Sequence, residues 1–148
     1  MSLIYKKMSL FDAPKGSILV HACNAKGVWG AGIAKEMKKK FPNAYEHYHI
    51  DCLQRNMTSR FDYQYDAGYY IASLVTSKDY GVYVDSPEEI LLNTSKALVD
   101  FITYVLDNDH PIYSNKFNSG KFHVPWEQTE DILKRFVKAF NVDWIVCE

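Results

Sequence analysis

The sequence predicts an α/β fold in which helices cover a largely parallel sheet. Two observations carry that prediction. Short β-type runs alternate with helical patterns along the 148 residues. Runs 18–20 (Ile-Leu-Val) and 144–146 (Trp-Ile-Val) are continuously apolar, as strands buried on both faces are. The length suits one domain, 1–148, with a single sizeable core.

Strands are expected at 3–5, 18–22, 69–75, 111–114 and 144–147. The first helix is expected over 32–40, because Ile33, Met37 and Phe41 recur every four residues and Pro42 stops the pattern. A shorter helix is expected around 43–53. The next has a strong start: Ser86 caps, Pro87 fits the first turn and Glu89 completes a capping box. Its apolar face is Ile90, Leu91, Ala97, Leu98, Phe101, Ile102 and Val105. The last helix starts at Pro125 or Trp126, with Glu127, Glu130 and Asp131 near its start and Lys134, Arg135 and Lys138 toward its end, as the helix dipole favours. The polar stretch 51–66 is expected to form a mobile loop or a small hairpin.

Composition excludes several classes. A net charge of −1 leaves no broad basic footprint for nucleic acid. The basic run 35–40 closes the first helix, where it complements the dipole in solvent. Cys23, Cys52 and Cys147 form no CxxC pair and read as free thiols in a reducing compartment. No apolar run reaches the length of a membrane span, and no signal peptide is seen. The expectation is a cytoplasmic monomer.

The segment 18–34, ILVHACNAKGVWGAGIA, runs from a strand through a glycine loop into a helix. Such a junction brings backbone N–H groups and a positive dipole end to an oxyanion. Gly30 and Gly32 suit close approach because they lack a side chain. Segment 118–126, NSGKFHVPW, repeats the arrangement ahead of the last helix. Two such junctions at the carboxyl end of a parallel sheet can hold a diphosphate from both sides. The fingerprint for a nicotinamide dinucleotide is poor, since Lys35 stands where a third small residue belongs. There is no GxxxxGK[ST] loop, no Cys followed six residues later by Arg, and no HExxH or tight His/Cys cluster. His47 and His49 are two apart on a helix, do not share a face, and read as solvated.

HACNAKGVWGAGIA together with NSGKFHVPW, and VTSKDYG with DSPEEI between them, resembles the macro domain family. The resemblance is to its small branch of ADP-ribose 1″-phosphate phosphatases. It implies a three-layer α/β/α macro domain with a mixed, largely parallel central sheet. It implies that Asn24 bonds the distal ribose, that Gly30, Ala31 and Gly32 pass close to that ribose and the diphosphate, and that Ser119, Gly120, Lys121 and Phe122 wrap the diphosphate. It adds Ser9, Leu10, Trp29, Ile33, Thr76 and His123 to the pocket. His21 matches the position proposed as catalytic in that branch, assisted by an acid, Asp85 first and Asp79 second. The implied reaction is removal of phosphate from ADP-ribose 1″-phosphate, with no metal or cofactor, no nucleic-acid partner and no membrane. Removal of ADP-ribose from macromolecules, or ADP-ribose binding without catalysis, are the alternatives.

Two positions leave the family's pattern. Met8-Ser9 stands where the family often has Gly-Asp, so no charge is brought to an adenine amino group. His123 stands where the second loop usually has Gly, a substitution that matters if φ there is positive. Two roles stay open from the residues themselves. His21 either activates water or is a structural histidine. Asp85 either acts on the substrate or only complements the helix that follows it.

Overall fold

The structure is a computed structural model that describes residues 2–148. Strands β1 (Leu3–Lys6), β2 (Ile18–Asn24), β3 (Phe61–Asp66), β4 (Tyr69–Ser77), β5 (Ile112–Ser114) and β6 (Trp144–Cys147) form one six-stranded sheet in the order β1-β6-β5-β2-β4-β3. Every pairing is parallel except β3 with β4. Helices α1 (Gly32–Lys40), α2 (Pro42–Gln54), α3 (Pro87–Val105) and α4 (Trp126–Phe140) connect them.

Side chains alternate across the strands and feed two cores. Ile18 and Val20 of β2 pack with Ala97, Leu98 and Phe101 of α3 and with Leu133 and Val137 of α4. Leu19 and Cys23 pack on the opposite face with Met37 of α1 and with Ala44 and Tyr48 of α2. This gives the three layers.

The stretch 51–66 corrects the expectation of a mobile loop. Helix α2 runs on to Gln54, and 61–66 is the antiparallel edge strand β3, which pairs with β4 outside the stretch, so 51–66 contributes one arm of a larger hairpin rather than a small hairpin of its own. Ala67 and Gly68 turn it into β4 with φ of 51° and 91°, as a two-residue hairpin turn requires. Its alternation is double-sided. Phe61 meets Phe101 of α3, while Asp62 and Asp66 are buried toward α2. The Asp66 carboxylate accepts from the backbone N–H groups of Asn43 and Ala44, each at 3.0 Å. The capping box at Ser86 and Glu89 is present as expected.

The two histidines of α2 are not simply solvated. His49 Nδ1 lies 2.8 Å from the Gly27 carbonyl oxygen, and His47 Nδ1 lies 2.7 Å from Asp62 Oδ1. Both partners are remote in sequence, which is why spacing along the helix did not reveal them. No helix among the described residues is long and apolar enough to cross a membrane.

Candidate active site

Strands β5, β2 and β4 are neighbours and parallel, so the loops that follow them leave the same edge of the sheet. Three contacts tie the loops together. The Ala25 N–H donates to the Ser77 carbonyl at 2.9 Å. Lys26 Nζ lies 4.0 Å from Asp79 Oδ2. Thr76 Oγ1, at the end of β4, donates to Asn118 Oδ1 at 2.8 Å. The loops of 25–31, 78–86 and 115–125 therefore border one region, at the crevice where open α/β sheets take their ligands.

The first loop is shaped by Asn24. Its Nδ2 donates to the Val28 carbonyl at 2.8 Å, and its Oδ1 accepts from the N–H groups of Lys26 and Val28 at 3.0 and 3.3 Å. Tyr48 Oη donates to the Asn24 carbonyl at 2.5 Å. The side chain expected on the distal ribose thus folds the loop. Gly30, Ala31 and Gly32 are exposed, and Gly32 has φ of +57°, a conformation that favours glycine. Ala31 offers no side-chain cap to α1, so the first N–H groups of that helix have no partner from the cap.

The second loop hangs on Asn118. Its Nδ2 donates to Thr94 Oγ1 at 2.9 Å while its Oδ1 accepts from Thr76, so its amide is held by α3 and β4 together. The Val124 N–H donates to the Asn118 carbonyl and the His123 N–H to the Gly120 carbonyl, closing the loop. Among the described residues, the N–H groups of Ser119, Gly120, Lys121 and Phe122 donate to no protein acceptor. Ser119 Oγ donates to the Lys116 carbonyl. His123 is exposed and adopts φ of +59°. That position does require a left-handed backbone. A β-branched residue fits it badly, so His123→Val is expected to destabilise the protein by roughly 1–2 kcal/mol, measured by urea denaturation.

His21 meets an unexpected setting. It has no solvent exposure, and its ring forms a T-shaped pair with Trp29, centroids 4.7 Å apart at 84°. Its Nε2 shares a hydrogen bond of 2.8 Å with Ser73 Oγ, while Nδ1 has no partner among the described residues. Burial pulls its pKa down to about 3, so the ring is neutral at physiological pH. In this conformation no substrate reaches it.

Three more of the expected pocket residues have buried side chains. Trp29 is only 1% exposed and stacks on Tyr48, with centroids 5.0 Å apart. Leu10 is buried in the α1/α2 core, and Thr76 is the buried partner of Asn118. Ser9 is exposed, but its Oγ caps a short 3₁₀ turn by accepting from the Phe11 N–H. Ile33 is half-buried on α1. Burial pushes the Cys23 thiol far up, as fits a packing residue.

The two acids lie beyond β4 and are half-buried. Asp85 Oδ2 accepts from the Lys78 N–H at 2.8 Å, and the Asp85 N–H donates to Ser77 Oγ at 3.1 Å. Asp79 Oδ1 accepts from the Tyr80 N–H at 2.8 Å. Asp85 is thus fastened to the end of β4 rather than serving only the helix it precedes. Among the described residues, the one group of three metal-ligating side chains lies elsewhere, on α2 and β3.

No protein-family profile matches the sequence. A curated ADP-ribose 1″-phosphate phosphatase of Aspergillus oryzae is 30% identical over an alignment that covers 93% of this chain and 88% of the relative. One from Meyerozyma guilliermondii is 33% identical, with 95% of this chain and 97% of the relative covered. The macrodomain of Mycobacterium tuberculosis DarG superposes with a TM-score of 0.78 at 22% identity, covering 99% of this chain and 97% of that one. With its layered sheet and paired loops, the chain belongs to the ADP-ribose 1″-phosphate phosphatase family of macrodomain proteins.

Proposed function

We propose that this chain, as a single domain, hydrolyses ADP-ribose 1″-phosphate to ADP-ribose and phosphate. Identity of 33% to a phosphatase of that name over nearly the whole of both chains carries the reading. The site chemistry supports it. The unpartnered N–H groups of 119–122 and the uncapped start of α1 are suited to the diphosphate. Water attacks the terminal phosphorus, the bond between phosphorus and the 1″ oxygen breaks, and that oxygen takes up a proton. Asp85, held by the Lys78 amide, is the first candidate to orient the water, and Asp79 the second. Fixed loop N–H groups stabilise the developing charge.

In this reading His21 and Asn24 are positioning residues, acting through Trp29 and the first loop. We infer that the reaction needs no metal, which the assay in EDTA tests. The net charge of −1 and three free cysteines support a cytoplasmic protein without a nucleic-acid partner. We infer that it acts as a monomer.

The test is phosphate release from ADP-ribose 1″-phosphate in the presence of EDTA, beside release of ADP-ribose from a modified protein. Release of phosphate is expected, and Asp85→Asn is expected to lower kcat about 10²–10⁴-fold. Hydrolysis of the modified protein alone, or binding of ADP-ribose without turnover of either substrate, overturns the reading.

A further inference from the structure

Three metal-ligating groups meet where α2 packs on β3. His47 and Asp51 stand four residues apart on α2 and share a face. Asp62 approaches from the neighbouring strand. His47 Nδ1 is 2.7 Å from Asp62 Oδ1 and 3.7 Å from Asp51 Oδ2. All three ligand atoms lie within 4.8 Å of one another. A first-row ion holds nitrogen and oxygen at ~2.0–2.2 Å, which separates tetrahedral neighbours by roughly 3.3 Å. The observed spacings bracket that value, so small side-chain rotations suffice.

The surroundings favour a cation there. Asp62 is 3% exposed, and a buried carboxylate must be paired or coordinated. Its side-chain neighbours here are an imidazole and a second carboxylate. Arg55 Nη2 lies 3.7 Å from Asp51 Oδ1, while Asp51 Oδ2 lies 3.7 Å from His47 Nδ1. The His47 side chain is half exposed, so the site opens to solvent on one side and water can fill a remaining position.

We propose that His47 Nδ1, Asp51 Oδ2 and Asp62 Oδ1 bind a divalent first-row transition metal, tying α2 to the edge strand β3. One imidazole with two carboxylates suits Zn²⁺, whereas Mg²⁺ prefers an octahedral set of oxygens. The site is separate from the phosphate-binding loops, and the proposal does not depend on the phosphatase reading.

The experiment is titration of the EDTA-treated protein with Zn²⁺, followed by calorimetry, and with Co²⁺, followed by visible absorption. One Zn²⁺ per chain is expected, with no comparable binding of Mg²⁺. The Co²⁺ spectrum is expected to lack the charge-transfer band of a thiolate ligand. His47→Gln, at the surface, and Asp51→Asn, half-buried, are each expected to weaken binding at least tenfold, and Asp62→Asn to do the same if circular dichroism shows it folded. The proposal is overturned by no binding, by a thiolate band, or by undiminished affinity in His47→Gln and Asp51→Asn. The first of these would leave the cluster as an ion-pair network.

Discussion

Trp29→Ala is expected to lower the stability of the protein by about 3–5 kcal/mol, the range for deleting a large aromatic from a packed core. The side chain is almost fully buried and touches His21, Tyr45 and Tyr48. Tyr48 in turn donates to the Asn24 carbonyl that anchors the first loop. The substitution therefore removes core area and loosens the first loop together. Domains of this size are typically stable by only about 5–15 kcal/mol, so the variant should sit close to unfolding. Urea denaturation checks this: the midpoint should fall with little change in slope. A change below 1 kcal/mol would mean that Trp29 is not packed as described.

The second expectation concerns acid. His21 titrates at about 3 in the folded protein because burial disfavours its charged form. In the unfolded chain it titrates near ~6.5. Below that value the unfolded chain takes up a proton that the folded protein refuses. The stabilisation is therefore complete above pH ~6.5 and is lost progressively as pH falls toward about 3. At 1.36 kcal/mol per pH unit, about 2 kcal/mol is lost between pH 6.5 and 5 from this one group. Asp62 acts in the opposite sense, since burial, with Asp51 beside it, pushes its carboxyl up to about 7. The measurement must therefore be a difference. Stability against pH is compared for the wild type and His21→Leu, and only the wild type should carry this acid-side slope. Parallel curves would show that His21 is not sealed.

Much of the fold could be read from the residues because local signals agreed with packing. The apolar runs at 18–20 and 144–146 are central strands, and Ser86 with Glu89 caps α3. Strand β3 was harder. Its pattern FDYQYD alternates aromatic and polar residues, which reads as a half-exposed strand or a polar loop. Its acids face inward because their partners, His47 and the start of α2, lie 15 to 23 residues earlier. No local pattern carries that information.

At the site, the two loops were legible and the direction of single side chains was not. Leu19, His21 and Cys23 share one face of β2 by strict alternation, and two of the three are core residues. That spacing was the available sign that His21 points beneath the loop rather than into it. Trp29 offered no such sign, because a tryptophan in a glycine-rich loop can face either way. The conformation at His123 was foreseen only as a condition, and its φ of +59° meets that condition.

The Asp66 carboxylate has a consequence for how the chain is assembled. Helix α2 begins after Phe41, which provides no side-chain cap, and its first-turn N–H groups are held instead by an acid at the end of the next strand. A helix of 13 residues is marginal by itself in water, since starting one is unfavourable. Its beginning is secured only when the β3–β4 hairpin has closed, because that closure delivers Asp66. Helix and hairpin are therefore expected to be lost together when the protein opens locally, and the stretch that read as a mobile loop or small hairpin supplies the cap of the helix.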